Sequence, residues 1–319
     1  MAPGISELLT LSMPNFGKKL ADNISLGNAA LMKMEEKGNL RTFDGGTDIR
    51  ESVDYGTNTN VAWISGAETF GVGATEHATS AVYAIKQLVG TVAVTGLDKI
   101  NNNGRGKVID LVSTKLKNLE RNLRNKVGTD MHGDGTGSSS KTITGFLLMC
   151  PTTVTSGTYA GINRATAGNE FWRPQITTTT LTAANSSALM TDTYIACSRG
   201  NDHTDLILAG ATAYGFFNKG LQPLQFFTSP KMAEAGFTSL RFIGADVVLD
   251  NNTGGLTATH MVFLNTDFIH WRPYEGLNFA PLEVEKRSPT NQDVTIYPLG
   301  FAGNLTCDNA ALQGRLNGA

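Results

Sequence analysis

Charged residues are scarce in this sequence: Asp, Glu, Lys and Arg make up 17% of its 319 residues, against about 25% in an ordinary soluble domain. The 28 acids and 26 Lys and Arg leave a formal net charge of -2, so no global electrostatic attraction draws the chain to nucleic acid or to an anionic membrane. Cysteine is nearly missing. Cys150, Cys197 and Cys307 are odd in number and far apart, with no CxxC pairing. That argues against a disulfide framework or a thiolate zinc site and for reduced, buried thiols. No apolar run reaches the ~18 residues of a membrane span, and residues 1–20 lack a basic stretch followed by an apolar one. A cytoplasmic protein without a membrane partner is expected.

Catalytic signatures are lacking too. Gly104-Arg105-Gly106-Lys107 resembles the end of a phosphate-binding P-loop, but Asn101 stands where the earlier glycine belongs and Val108 where a Ser or Thr would ligate magnesium. The glycines at 133, 135 and 137 follow a helical pattern instead of opening one, so no helix N-terminus would receive a phosphate there. The five histidines form no HExxH and no pair at i and i+4. His132 with Asp134, or His203 with Asp202 and Asp205, offers at most the corner of a metal site. The loop starting at Asp250 has Met261 where a calcium-binding EF-hand needs glutamate. No catalytic residue, cofactor or metal is assigned, and the chain is not expected to be an enzyme. A hydrolase using His203 and Asp205 is the rival from a different class.

What is abundant is glycine, 35 residues, together with short apolar runs between turns. Residues 1–43 are broken by Pro3, Pro14, Gly17, Gly27 and Gly38 and read as an arm that packs on something else. From Ile49 to Ser65, Ile49, Val53, Tyr55, Val61 and Trp63 share one parity and polar residues the other, the pattern of a half-buried strand. A bend at Gly66, Gly71 and Gly73 leads to a second β-branched run over 81–95, giving a long hairpin. A 17-residue strand would reach about 60 Å, against a radius of gyration of about 20 Å for a compact chain of this length. Such a hairpin either folds back on its own core or overhangs it and is covered by a neighbour, most simply another copy.

Over 105–131 the period becomes helical, with Val108, Val112, Leu116, Leu119, Leu123 and Val127 on one stripe. Lys107, Lys115, Lys117, Arg121, Arg124 and Lys126 lie opposite, as a surface facing DNA, a solvated face, or a partner for a neighbour's carboxylates. Beyond the stop at Gly133, short runs at 143–149, 206–209, 242–243, 247–249, 261–264 and 295–299 alternate with helical candidates at 182–197 and 211–221. No regular βαβ repeat appears, so the fold class is α+β.

The last forty residues carry the sharpest pattern: Asn291-Gln292-Asp293, then Gly303-Asn304-Leu305-Thr306-Cys307-Asp308-Asn309, then Leu312-Gln313-Gly314. This resembles the C-terminal signature of a family of major capsid proteins of tailed double-stranded DNA bacteriophages. Other matching segments occur in order: Tyr55 with Val61, Trp63 and Gly66; Ile109-Asp110-Leu111 with Leu119, Glu120 and Leu123; Gly133 to Thr136; Tyr159, Gly161, Ile162 and Arg164; Trp172; Gly236-Phe237; Phe263-Leu264-Asn265; Asn278-Phe279. The ordered series, running from about residue 50 to the end, carries the resemblance.

The resemblance implies a Hong Kong 97-type capsid fold, with an N-terminal arm (1–43), an extended β-hairpin loop (44–97), and a long spine helix in a peripheral domain (98–183). An axial domain (184–285) and a C-terminal return to the peripheral domain (286–319) complete it. It implies a virion protein, assembled in the host cytoplasm, whose pentamers and hexamers form an icosahedral head shell. That shell would enclose double-stranded DNA without sequence-specific binding. Implied partners are other copies of the chain, a portal protein, a separate scaffolding protein and, as an optional further one, a decoration protein. The separate scaffold is expected because the hairpin begins early, at Ile49. Some relatives cross-link through a loop lysine, but the nearest here is Lys86, well after the bend, so cross-linking is not expected. Tyr55, Trp63, Gly66, Gly71 and Gly73 are the expected inter-subunit contacts, and Lys115, Arg121 and Arg124 the candidate inward cationic face. An encapsulin-like compartment shell or another virion structural protein is the alternative.

Overall fold

The strand alternation at Ile49 is realised, but only briefly. The computed structural model describes residues 28–69, 71–101, 111–221, 239–250, 256–282 and 293–318. After helix α1 (Ala29–Lys37), strands β1 (Asp48–Asp54) and β2 (Ala78–Ala84) pair antiparallel from Asp48↔Ala84 to Asp54↔Ala78. Ile49, Glu51 and Val53 point inward and Arg50, Ser52 and Asp54 outward. The long ribbon expected over 49–65 and 81–95 is therefore corrected to two seven-residue strands, about 24 Å long. Residues 55–69 and 71–77 form no strand. Asn58, Asn60 and the glycines there have poor β propensity, and with no sheet beneath them the alternation has nothing to pair with.

The second run also divides. At Ile85 the chain leaves β2 and enters β3 (Lys86–Thr95), which pairs with a different partner. A short helix, Gly96–Asn101, follows, and α2 (Leu111–Met131) presents the expected stripe, with Leu123, Val127 and Met131 buried. Its expected start at 105–110 lies outside the described residues, as does the Gly104 to Lys107 stretch. Gly90 allows α2 to lie close on β3: a Cβ there would sit 2.7 Å from Leu119 Cδ1 and 3.2 Å from Leu123 Cδ2. The helix stops where expected. Asp134 accepts hydrogen bonds from Thr136 N at 3.0 Å and Oγ1 at 2.6 Å, fixing the turn and holding its own carboxyl below the usual range. The run at 143–149 becomes a single helical turn, Phe146–Met149.

A small hairpin, β4 (Thr158–Tyr159) with β5 (Ile162–Asn163), precedes β6 (Gln175–Thr179) and helix α3 (Ser186–Ala196). Then come β7 (Leu206–Ala209), α4 (Ala211–Leu221), β8 (Ser239–Phe242), β9 (Ala245–Leu249), β10 (His260–Leu264), β11 (Ile269–Pro281), β12 (Val294–Cys307) and β13 (Gly314–Gly318). Two further sheets result, one in the order β11-β12-β3 and one in the order β6-β13-β10-β7-β9-β8.

The six-stranded sheet mixes parallel and antiparallel pairs and is buried on both faces. Leu206, Leu208, Val262 and Leu264 join the core shared with α1, the end of α2 and Trp271. Ile207, Ala209, Met261 and Phe263 join the core under α3 and α4, with Met190 and Phe217. That two-sided burial explains why these strands read as continuous apolar runs. Strand β13 enters this sheet between β6 and β10, whereas β12 joins the three-stranded one, so the C-terminal segment contributes to both.

Candidate assembly surface

The segment between β1 and β2 is tied at its root and bare at its tip. Tyr55 N and Gly56 N both donate to His77 O, at 2.8 and 3.1 Å, which draws the two limbs together. Gly56 is needed there, because a Cβ would fall 2.4 Å from Glu76 O. The Tyr55 ring stacks on Phe171 with centroids 4.3 Å apart and an interplanar angle of 16°. Further out, Asn60 Nδ2 donates to Gly73 O at 2.6 Å, and a Cβ on Gly71 would lie 2.7 Å from Asn60 Oδ1. Gly66, at φ +71°, turns the tip in open space.

Between these ties the apolar side chains have no cover. Trp63 is fully exposed, Val61 is 81%, Val72 84% and Ile64 54% exposed. An isolated exposed Leu or Val is ordinary on a protein surface, but four large apolar groups exposed on one short loop are not. A buried Trp removes 150 Å² or more from water, which at about 25 cal/mol per Å² amounts to roughly 4 kcal/mol before the loop is ordered. Of the expected contact residues, Trp63 is thus bare, Tyr55 is a root already stacked, and Gly66, Gly71 and Gly73 shape the backbone.

The cations of α2 are not gathered into one free patch. Lys115 Nζ lies 3.8 Å from Asp98 Oδ2, and Arg124 Nη2 lies 3.1 Å from Glu120 Oε1 while its guanidinium sits 5.0 Å from the Phe279 ring centroid. Arg121 is half-buried. Lys126 pairs with Asp130 at 2.8 Å.

The candidate chemical residues serve the fold. Asp205 binds Thr266 N and Oγ1 at 2.7 and 2.5 Å and Lys37 Nζ at 3.0 Å. His203 Nδ1 lies 2.8 Å from the Asn201 carbonyl oxygen. His132 pairs with Asp250 and packs edge-on to Phe146. Much of the loop after Asp250 lies outside the described residues. All three cysteines are free and buried, and burial pushes the Cys150 thiol up to about 12 despite Arg164 and Arg315 nearby.

The C-terminal signature is likewise internal. Asn304 donates from Nδ2 to Ala84 O at 2.9 Å and accepts from Thr144 N at 2.8 Å. Thr306 Oγ1 donates to Glu51 Oε1 at 2.9 Å, and that carboxylate also meets Arg272 Nε at 2.7 Å. The backbone of Cys307 and the Tyr83 hydroxyl bond each other at 2.8 and 3.0 Å. Gln313 exchanges bonds with the Asn265 backbone at 2.9 and 3.2 Å. A Cβ on Gly314 would lie 2.3 Å from Cys197 Sγ. Asn291 and Gln292, and also Gly236 and Phe237, lie outside the described residues.

Sequence reasoning missed Phe171, Asn60 and the Glu51 to Arg272 pair. Glu51 carried a readable signal: it is an acid on the inward parity of a strand, which requires a buried partner.

No protein-family model matches the sequence, and neither does any curated protein. Solved structures do match in shape. The chain is similar to one in the Cyanophage A-1(L) capsid asymmetric unit, with a TM-score of 0.67 and 18% identity over 99% of this chain and 98% of that one. It is similar to a chain of the native GTA particle capsid, with a TM-score of 0.65 and 12% identity over 96% and 95%. It is also similar to one of the cyanophage P-SCSP1u capsid, with a TM-score of 0.60 and 13% identity over 98% and 94%. Along nearly its whole length, the chain therefore has the fold of the subunits that build these capsids.

Proposed function

We propose that this protein is the major capsid protein of a tailed double-stranded DNA bacteriophage, a structural subunit whose pentamers and hexamers close into an icosahedral head shell around the genome. The observation that carries the reading is the bare apolar loop around Trp63, borne on a fold shared end to end with capsid subunits. A monomer gains nothing from exposing Trp63, Val61 and Val72, whereas a subunit surrounded by copies covers them. Within this reading, residues 1–43 form an arm, 44–97 the extended loop, 98–183 the spine helix and peripheral domain, 184–285 the axial domain and 286–319 the return. Portal, scaffolding and decoration proteins would be its partners. Lys115, Arg121 and Arg124 would face the DNA without reading its sequence; the pairing of Lys115 with Asp98 and of Arg124 with Glu120 limits the pull of those two on phosphate.

The same surface must serve five-fold and six-fold positions, so its contacts are individually weak and repeated, and closure makes the loss of any one copy slow. Purified protein, alone or with its scaffolding protein, is expected to form large uniform particles by electron microscopy. Persistent monomers under every assembly condition would overturn the reading. Trp63→Asp is expected to abolish or strongly reduce particle yield while shifting the melting midpoint of the monomer by only a degree or two; equal loss of both would place Trp63 in its own core.

A further inference from the structure

Strand β1 turns three side chains toward the body, and the middle one is a charge. Ile49 and Val53 are apolar, whereas Glu51 between them is only 5% exposed. Its partner across the hairpin is Ala81, which offers it no hydrogen bond. The carboxylate is met instead from the three-stranded sheet: Arg272 Nε of β11 donates to Oε1 at 2.7 Å, and Thr306 Oγ1 of β12 donates to the same oxygen at 2.9 Å. The Arg272 side chain is itself 18% exposed. Taking two such charges out of water offsets most of their attraction, and replacing a buried pair by apolar side chains of like size is often neutral or stabilising. What the pair adds is direction. An N–H···O bond is satisfied at one relative placement of two backbones, whereas apolar contact tolerates many.

The placement at stake is that of the β1 and β2 hairpin on the rest of the chain. Strand β2 is held through three consecutive residues near one end of the hairpin. Val82 N donates to Ala160 O at 2.9 Å, the Tyr83 hydroxyl to Cys307 O at 2.8 Å, and Asn304 Nδ2 to Ala84 O at 2.9 Å. By themselves these bonds leave the hairpin able to tilt about the line they share. Glu51 stands on the other limb, and its bonds to β11 and β12 fix that tilt. A change of about 10° at the root would move the far end of a strand of about 24 Å by roughly 4 Å, and with it the apolar loop that the hairpin carries.

We infer that the Glu51 and Arg272 pair is an orientation pin, which sets the angle at which the hairpin leaves the body and, through that angle, the curvature of the shell, while adding little to the stability of the fold. The consequence for curvature rests on the reading of the chain as a shell subunit and deepens it by naming the residues that govern its geometry. The rotation between neighbouring copies decides whether repeated contacts close. Glu51 and Arg272 act on that rotation as positioning residues.

The test is Glu51→Met with Arg272→Met in the full chain, which removes both charges together and leaves Thr306 Oγ1 the His270 carbonyl at 3.4 Å. This double variant is expected to melt within about 3 °C of the native chain or above it, whereas Glu51→Met alone, which leaves a buried guanidinium unpaired, is expected to melt about 5–10 °C lower. Nitroxide labels at Asp54→Cys on the hairpin and Asp192→Cys on α3 report the angle in the free chain, because both sites are exposed and the native thiols are buried. The width of their distance distribution is expected to grow at least about twofold in the double variant. Particles built from it are expected to lose their uniform diameter. A distribution of native width, or a double variant that does not fold, would refute the pin whether or not particles form. A broadened distribution with particles of native diameter would refute the link to curvature and leave the shell reading standing. Failure of the native chain to form particles would remove the shell reading, and the label distances in the free chain would still decide the pin.

Discussion

Arg164 is fully buried, and its guanidinium is held by three main-chain carbonyls: Trp172 from Nε at 3.3 Å, Leu148 from Nη1 at 2.9 Å and Met149 from Nη2 at 2.7 Å. It also lies 4.9 Å from the Tyr159 ring centroid. Burial lowers its pKa, but a guanidinium keeps its charge at any ordinary pH. Arg164→Met is expected to cost about 2–4 kcal/mol by leaving those carbonyls unpaired, measured by denaturant unfolding of the monomer. His260 offers a pH test. Burial first, and then the Arg315 cation donating to its Nδ1 at 2.6 Å, hold its pKa below the ordinary histidine value of 6.5. The unfolded chain thus binds a proton that the folded chain resists. Stability is full above about pH 6.5 and declines as pH falls through the lower folded value. His260→Gln is expected to flatten that part of the stability curve; an unchanged slope would assign it to other groups.

At the scale of elements, the crossing of α2 over β3 depends on the missing side chain at Gly90. Gly90→Val is expected to destabilise the monomer by about 1–3 kcal/mol, read as a lower denaturation midpoint, because Leu119 and Leu123 must move aside. Helix α1 is docked in another way. Lys33 reaches Asp246 at 2.9 Å, and Lys37 reaches Asp205 and Asp267 at 3.0 and 2.8 Å. The last residues of this early segment are thereby anchored to the six-stranded sheet and the turn after it. The loop between β1 and β2 has the opposite character: it is tied at Tyr55 and at Asn60, with its largest apolar group left bare.

For the whole molecule, two cores share one sheet, and the chain crosses between sheets at Ile85 and again between β12 and β13. Such crossings weld the parts of the chain together, so a shell of the proposed kind would be built by docking folded copies. A particle of the proposed kind is therefore expected to melt at a higher temperature than the free chain, since contacts made only in a shell stabilise the native state. Coincident midpoints in scanning calorimetry would mean that the interfaces contribute nothing to stability.

Local rules made much of this legible. The stripe from Leu116 to Val127 dictated a helix, and the parity of Ile49 and Val53 a strand. Asn304, Gln313 and Gly314 stood out as a motif while their work stayed hidden, because their partners Ala84, Thr144, Asn265 and Cys197 are distant in sequence. The strand length also failed to show: alternation states which side chains share a face, and only a paired neighbour decides whether the backbone stays extended. Sequence by itself determined the mixed class and the principal helix. The tertiary structure alone decided where β2 ends and which sheet receives β13, since each depends on segments brought together from far along the chain.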